Sequence, residues 1–251
     1  MKDYFSTQSA TYQQFRPTYP PSLFEFVRSI GPAEPSIWDC ATGNGQAAVP
    51  MSSFAGAVIG TDQSMSQLKH AMPLRCGGYA QALAERSPFA SNSIDVITVA
   101  QALHWFDFDA FYNEVARVAK PGAAIAVWTY SFLTVTEQLG PSIDEVIREF
   151  YFNVIGPYWP PERRWVDERY ETIPFPFEPI AVPAFTINVD WDLAGIVGYI
   201  ASWSATQRYK DANGKDPVGP LNAALSRIWG APRRKRALSW PLSVRAGRVS
   251  R

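Results

Sequence analysis

Cysteine, histidine and long apolar runs are all scarce in this 251-residue chain. Its two cysteines, Cys40 and Cys76, and two histidines, His70 and His104, have spacings that do not predict a metal cluster. Such cysteine economy suits a reducing compartment, and both thiols are expected to be buried. No apolar run reaches the roughly 18 residues of a membrane span, and the polar start lacks the apolar run of a signal peptide. We therefore expect a cytoplasmic protein without a membrane partner or a bound metal.

Net charge is also lacking, because 23 Lys and Arg residues balance 23 Asp and Glu residues. A balanced chain has no overall field that would attract nucleic acid or an acidic membrane. The basic run at residues 233–236 has no interleaved aromatic residues and precedes a predicted strand. It therefore predicts a solvated connection, and we expect no nucleic-acid partner.

What the chain does contain is an apolar strand, residues 36–38, that leads into a glycine loop. Gly43 and Gly45 remove Cβ atoms where the backbone must approach another group, and a helix is predicted from Gln46 onward. About 17 residues after Gly45, a second apolar run ends in Asp62, close to the roughly 20 residues typical of a ribose-binding acid. Together these features predict a site for an adenosine-containing cofactor.

The choice of cofactor depends on Asp39. Residues 43–48 also fit the G-x-G-x-x-A fingerprint of nicotinamide cofactors. A carboxylate just before a pyrophosphate-binding loop would oppose the charge of that anion, however, whereas it would attract a cofactor that carries an ammonium group. Asp39 therefore argues against the nicotinamide interpretation.

At these residues the chain resembles the class I S-adenosylmethionine-dependent methyltransferases, in which an acid ends the first strand, a glycine loop follows and a second acid ends strand two. Ala41 stands where that family usually has its first glycine. The resemblance implies S-adenosylmethionine as the cofactor and S-adenosylhomocysteine as the product. The cofactor-binding residues that it implies here are Asp39, Ala41, Gly43, Gly45, Asp62 and Gln63.

A second segment of similarity lies at residues 84–95, which look like the family's A-E-x-L-P-F-x-x-x-S-F-D segment. Its first residues usually touch the adenine. Leu83 stands where the family often has an aspartate, so the resemblance assigns the adenine contact to Ala84 and Glu85. Glu85 fits a solvated loop acid equally well.

Residues 101–106, Gln-Ala-Leu-His-Trp-Phe, closely resemble a segment of the trans-aconitate methyltransferase-like subgroup, within methyltransferase type 11. His104 follows the end of the fourth predicted strand, where this topology places its active site, so it is the candidate catalytic residue, either as a general base or as an anion binder. The alternative is a structural histidine. Gln101 is expected at the cofactor. Trp105 either fills the core or lines the pocket beside a sulfonium cation.

Near the start, residues 12–21 resemble the subgroup's aromatic-x-x-x-R-P-x-Y-P signature. This segment is either an arm that covers the domain or a lid over the cofactor, with Arg16 reaching the cofactor's carboxylate. Tyr19 is expected to face the substrate, together with Trp159 from a cap. Trp203 joins them because it lies in an element that looks like the subgroup's S-W-S-A.

Strands and helices alternate from residue 36 to residue 131, which requires parallel pairing and right-handed crossovers. One of these helices is predicted from its cap at Ser64 through Ala71, with Met65, Leu68 and Met72 towards the sheet. We predict an α/β fold with a doubly wound, mostly parallel, seven-stranded, Rossmann-like sheet, and the resemblance implies an antiparallel last strand. The chain is expected to form a single domain, as a monomer or homodimer. Its parts are an N-terminal arm and helix (1–35), a cofactor-binding core (36–131), an inserted helical cap (132–183) and the C-terminal strands and helices (184–251).

These expectations together predict a methyltransferase that acts on a small molecule. Arg16 and His104 suit an anion, and the aromatic cap suits an acceptor with an apolar body, so the predicted reaction is O-methylation of a carboxylic acid. One alternative is a catalytically silent methyltransferase-fold subunit whose cap is an interface. A nicotinamide-dependent oxidoreductase is the third interpretation.

Overall fold

The computed structural model describes residues 16–136 and 140–250, so the predicted contacts of the arm before Arg16 lie outside the described residues. In the first half of the chain, apolar strands alternate with helices and pair in parallel, in the order β3-β2-β1-β4-β5. These strands are β1 (Ser36–Cys40), β2 (Ala57–Asp62), β3 (Gly77–Gln81), β4 (Ile94–Ala100) and β5 (Ala119–Tyr130). The helices before and between them are α1 (Pro21–Ser29), α2 (Ala48–Met51), α3 (Met65–Lys69) and α4 (Phe108–Val118).

In the second half of the chain, the long strand β9 (Arg236–Arg248) inserts antiparallel between β5 and β8 (Phe185–Trp191). Two strands of two residues each, β6 (Thr134–Val135) and β7 (Glu178–Pro179), also pair with β9. Among the seven longer strands of the described residues, β9 alone runs against the others. This arrangement confirms the predicted doubly wound, mostly parallel sheet and its antiparallel last strand.

Residues 132–183, predicted as a cap, contain α5 (Gly140–Glu149), a π-helical segment (Phe150–Val154), a 3-10 turn (Gly156–Tyr158) and α6 (Arg163–Asp167). After β8 come α7 (Leu193–Ala201), α8 (Ser204–Asn213) and α9 (Val218–Trp229). No helix within the described ranges has both the length and the apolar character needed to cross a membrane.

Successive residues of each strand point to opposite faces of the sheet, and an apolar cluster covers each face. Ile37 and Trp128 belong to one cluster, whereas their neighbours Trp38 and Val127 belong to the other. The near-continuous apolar character of these strands reflects burial on both faces.

Two helix predictions after the glycine loop need correction. The helix predicted from Gln46 begins only at Ala48, because the loop continues as a turn through Ala47. The next helix, α3, has five residues, and the Ser64 side chain caps it by accepting a hydrogen bond from the Gln67 N–H. In so short a helix the expected apolar face is not formed. Met65, predicted to face the sheet, is 43% exposed, and Gln67 is buried instead.

Candidate functional site

Two cavities adjoin at the carboxyl ends of the parallel strands, where ligands bind in doubly wound sheets. The first cavity, of about 150 Å³, is lined by the glycine loop, the end of β2, residues 82–85 and parts of the segment 100–106. The second cavity, of about 70 Å³, is lined by Arg16, residues 130–132, and parts of the segments 101–105, 151–163 and 199–204. Gln101, Trp105 and Tyr130 line both cavities, so they form a shared wall.

The glycine loop has a backbone conformation that residues with a side chain rarely adopt. Gly43 and Gly45 have φ angles of +57° and +86°, and Ala41 also has a positive φ of 55°. A Cβ atom added to Gly45 would lie 2.1 Å from the Tyr79 Oη atom, which donates a hydrogen bond to the Met72 carbonyl at 2.7 Å. Glycine therefore allows the loop to lie directly against β3.

Asp62 connects this loop to the start of α3. Its Oδ2 accepts from the Gly43 N–H at 2.9 Å and its Oδ1 accepts from the Ser64 N–H at 2.8 Å. Asp62 lines the first cavity, and a carboxylate oxygen can accept more than one hydrogen bond. The acid at the end of β2 can therefore hold the loop and accept hydrogen bonds from a ligand.

The carboxylate of Asp39, by contrast, is fully buried behind the loop. Its oxygens accept hydrogen bonds from the hydroxyls of Thr42 at 2.5 Å and Thr98 at 2.8 Å. Burial raises the pKa of Asp39 to about 6. Thr42 lines the first cavity and Asp39 does not, so Asp39 is linked to the cavity wall only through the Thr42 hydroxyl, and its contact with the cofactor stays a prediction.

The other predicted cofactor residues separate into three groups. The first cavity is lined by Ala41, Gly43, Asp62, Gln63, Ala84, Glu85 and Gln101. Gly45 lies behind the loop against Tyr79, and Arg16, expected at the cofactor, lines the second cavity. Glu85 does more than a solvated acid would, because its Oε1 accepts from the Asp107 N–H at 3.2 Å, just before α4.

Of the predicted substrate residues, Trp105, Trp159 and Trp203 line the second cavity. Tyr19 lines the first cavity instead, and its ring packs edge-on against Trp128 with centroids 5.7 Å apart. Trp105 lines both cavities, which favours the pocket interpretation over that of a core residue. The arm itself is tied to the glycine loop, because Gln46 Nε2 donates to the Pro17 carbonyl at 2.7 Å.

His104 lines the second cavity as expected, and its surroundings bear on the roles predicted for it. It is only 8% exposed, and its Nδ1 lies 2.7 Å from the Tyr170 hydroxyl. Burial, assisted by the nearby positive charge of Arg163, lowers the pKa of His104 to about 3. The imidazole is therefore neutral at physiological pH, so it cannot attract an anion by charge, and it is a weak general base.

Arg163 was missed by the sequence reasoning and lines the second cavity. Its Nε donates to the Tyr151 hydroxyl at 2.8 Å and to Asp167 Oδ1 at 3.2 Å. Its guanidinium lies 4.5 Å from the centroid of the Trp159 ring. An arginine within a segment this rich in aromatic residues was the available signal, since arginine stacks well on such rings.

The charged residues that line the two cavities differ in sign. Among the residues that the structure describes, the first cavity is lined by the acids Asp62 and Glu85 and by no lysine or arginine. The second is lined by Arg16 and Arg163 and, within the same ranges, by no aspartate or glutamate. An acidic site therefore adjoins a basic one across the shared wall.

Comparisons with known proteins give a consistent result. Residues 38–127 match the family described as a methyltransferase domain. A Dictyostelium discoideum protein named as a methyltransferase is 30% identical over 229 residues, covering 90% of this chain and 86% of that protein. An uncharacterised methyltransferase of Mycobacterium tuberculosis is 30% identical over 140 residues, 54% of either chain. A solved structure from Anaeromyxobacter dehalogenans, described as a type II methyltransferase, is 36% identical and superposes with a TM-score of 0.85, covering 94% of this chain and 98% of that one.

Proposed function

Since this chain belongs to the class I S-adenosylmethionine-dependent methyltransferases, we propose that it methylates a small carboxylic acid on oxygen, with S-adenosylmethionine as the donor. The observation that carries this proposal is the opposite charge of the two adjoining cavities. The donor is cationic at sulfur and supplies an electrophilic methyl group. The acidic first cavity suits such a cation, and the basic second cavity suits an anionic acceptor.

The residues of the first cavity fit the donor. The loop keeps its backbone clear of side chains at Gly43, and Asp62 presents carboxylate oxygens for the ribose hydroxyls. Ala84 and Glu85 would face the adenine. Thr42 would contact the ligand while its hydroxyl donates a hydrogen bond to the buried Asp39. A dinucleotide would bring a pyrophosphate towards these acids, which opposes its binding.

The residues of the second cavity fit a small anion with an apolar portion. Arg16 and Arg163 supply positive charge, while Trp159 and Trp203 supply apolar surface. A volume of about 70 Å³ favours a small acid over a polymer. The shared wall of Gln101, Trp105 and Tyr130 lies where the acceptor and the methyl group would meet.

In the proposed reaction, a carboxylate oxygen of the acceptor forms a bond to the methyl carbon while the carbon–sulfur bond breaks and its electron pair returns to sulfur. An ionised carboxylate has no proton to lose, so the step requires no general base, which agrees with a neutral His104. The work of this chain is then alignment and exclusion of water. Alignment alone can contribute about 7–11 kcal/mol.

The test is a screen of carboxylic acids, phenols and amines with isotopically labelled donor. We expect labelled methyl esters, which are recognised because alkali hydrolyses them and releases the label as methanol. Methyl transfer confined to phenols or amines would overturn the carboxylate assignment and leave the family assignment intact.

A further inference from the structure

The guanidinium of Arg163 is held in place from two directions. Its Nε donates to Tyr151 and to Asp167, and the Tyr151 hydroxyl itself donates to Asp167 Oδ1 at 2.7 Å. The face of the guanidinium lies over Trp159, with its central carbon 4.5 Å from the ring centroid. Arginine side chains lose considerable freedom when they are ordered. These contacts provide that order before any ligand binds.

The far end of this guanidinium is left open. Within residues 16–136 and 140–250, no hydrogen bond reaches the Nη1 or Nη2 atoms of Arg163, although its side chain is only 20% exposed. These two nitrogens carry four N–H groups, and their end-on edge matches the two oxygens of a carboxylate. The acid that pairs with Arg163 occupies the Nε atom and leaves that edge available.

The neighbouring Arg164, on the same helix α6, has a different environment from Arg163. It is exposed, and its guanidinium lies over Trp165 at 4.2 Å, outside the second cavity. The two side chains are adjacent in sequence and identical in chemistry, but only Arg163 lines the cavity. They therefore form a matched pair for experiment.

We propose that Arg163 is the residue that binds the anionic group of the methyl acceptor, through a bidentate pair between its terminal nitrogens and a carboxylate. Tyr151 and Asp167 act as positioning residues, because they touch Arg163 rather than the acceptor. The inference rests on the proposed function for the identity of the second cavity as the acceptor site. Binding can nevertheless be measured without turnover.

The experiment measures the affinities of acetate, succinate and benzoate, each against its amide, for protein saturated with S-adenosylhomocysteine, by calorimetry or ligand-observed NMR. For the wild type, we expect at least one carboxylate to bind more tightly than its amide. Arg163→Gln should weaken that carboxylate by about tenfold or more, because hydrogen bonds to charged groups are lost, and should leave the amide nearly unchanged. Arg164→Gln should leave both affinities unchanged.

Two further variants separate recognition from a general loss of structure. Arg163→Lys keeps the positive charge but loses the planar fork, so carboxylate affinity should fall between those of the wild type and Arg163→Gln. The double variant Tyr151→Phe, Asp167→Ala removes both acceptors of the Nε hydrogen bonds but keeps the arginine. It should reduce the ratio of carboxylate to amide affinity several-fold, whereas a purely structural role would lower both affinities together.

The outcomes distinguish this inference from the proposed function. Equal carboxylate affinity in the wild type and Arg163→Gln would overturn the role of Arg163, as would the absence of carboxylate binding to the wild type. If the wild type failed to bind S-adenosylhomocysteine, the proposed function itself would be lost. An affinity for S-adenosylhomocysteine equal to that of the wild type would show that the first cavity of a variant remains folded.

Discussion

The two acids nearest the glycine loop, Asp39 and Asp62, differ in what their oxygens face. Both oxygens of Asp39 accept from threonine hydroxyls inside the protein, whereas Asp62 lines the first cavity and its oxygens accept from the backbone N–H groups of Gly43 and Ser64. We therefore expect a ligand to meet Asp62 directly and Asp39 only through Thr42. At the scale of single residues, the role of an acid depends on the direction of its side chain and not only on the type of residue.

Asp62→Asn should remove most of the stabilisation that S-adenosylhomocysteine gives to the wild type. A ligand at about 100 times its dissociation constant adds about 2.7 kcal/mol to the native state, and an amide replaces one of the two acceptor oxygens with a donor. Thermal unfolding with and without ligand measures this shift. Asp109→Asn, at an exposed position of α4, is the control and should behave as the wild type. NAD should shift neither protein, and a full shift in Asp62→Asn would contradict the proposed ribose contact.

His104→Gln should retain most of the activity. A general base contributes about 10²–10⁴-fold, and a neutral imidazole beside a carboxylate acceptor is not expected to supply that factor. We expect a much smaller decrease in kcat, with the same dependence of kcat/KM on pH between about 6 and 8 as in the wild type. Steady-state kinetics across that range would check this, and a loss of 100-fold or more would restore His104 to the role of a base.

At the scale of elements, the first cavity depends on how closely the glycine loop lies against β3. The contact between Gly45 and Tyr79 determines that distance, since a Cβ atom has no room there. Gly60 on β2 has a similar restriction, with Tyr79 Cδ1 2.6 Å from the position of an added Cβ. The ring of Tyr79 therefore connects the loop, β2 and β3 into one unit.

Gly45→Ala should destabilise the protein and weaken the binding of S-adenosylhomocysteine. The added methyl group collides with Tyr79 Oη, and a left-handed backbone costs alanine about 1–2 kcal/mol. In the double variant with Tyr79→Phe the nearest atom becomes a ring carbon at 3.1 Å, so part of the stability should return. Chemical denaturation of both variants measures the recovery.

The control for this experiment is Gly78→Ala, on β3 itself, where an added Cβ meets nothing within 4 Å. It should change the stability little and leave ligand binding intact. If Gly78→Ala were as damaging as Gly45→Ala, the effect would belong to β3 as a whole rather than to the close approach of the loop.

At the scale of the whole molecule, two buried groups give opposite contributions to the dependence of stability on pH. The pKa of Asp39 is raised by burial to about 6, so its contribution is full below its ordinary pKa and is lost as pH rises through about 6. The pKa of His104 is lowered to about 3, so its contribution is full above its ordinary pKa and is lost as pH falls. Between about pH 4 and 6 these two contributions oppose each other.

Removing either group should expose the contribution of the other. As pH rises from about 4 to 6, the free energy of unfolding of Asp39→Asn should increase relative to that of the wild type. Over the same range, the free energy of unfolding of His104→Gln should decrease relative to that of the wild type. Each slope should approach about 1.4 kcal/mol per pH unit, the value for one proton. Denaturant unfolding of the three proteins at several pH values measures the free energy of unfolding. The contributions of other titrating groups cancel when each variant is compared with the wild type at the same pH. Parallel curves for all three would contradict the assigned shifts.

Local sequence patterns predicted the elements of the sheet and one cavity well. The strands of the core are predicted by short apolar runs between turn residues. The glycine loop is predicted by two closely spaced glycines directly after such a run. The errors lie where a pattern was extended too far. Gln46 belongs to a turn, and Met65 faces solvent, because neighbouring turns shorten helices that the apolar pattern alone would prolong.

The amino-acid sequence by itself was sufficient for the methyltransferase family, the doubly wound sheet and most of the first cavity, because each of these is marked by short local patterns: alternating strands and helices, the glycine loop, and the segments that begin at residues 84 and 101. Only the tertiary structure placed Arg16 and Arg163 at one cavity, since they come from distant parts of the chain. It also placed Tyr170 against His104, and the burial there makes the imidazole neutral. Charge, burial and pKa at a site are collective properties of the elements that meet there, and a linear pattern does not record which elements meet.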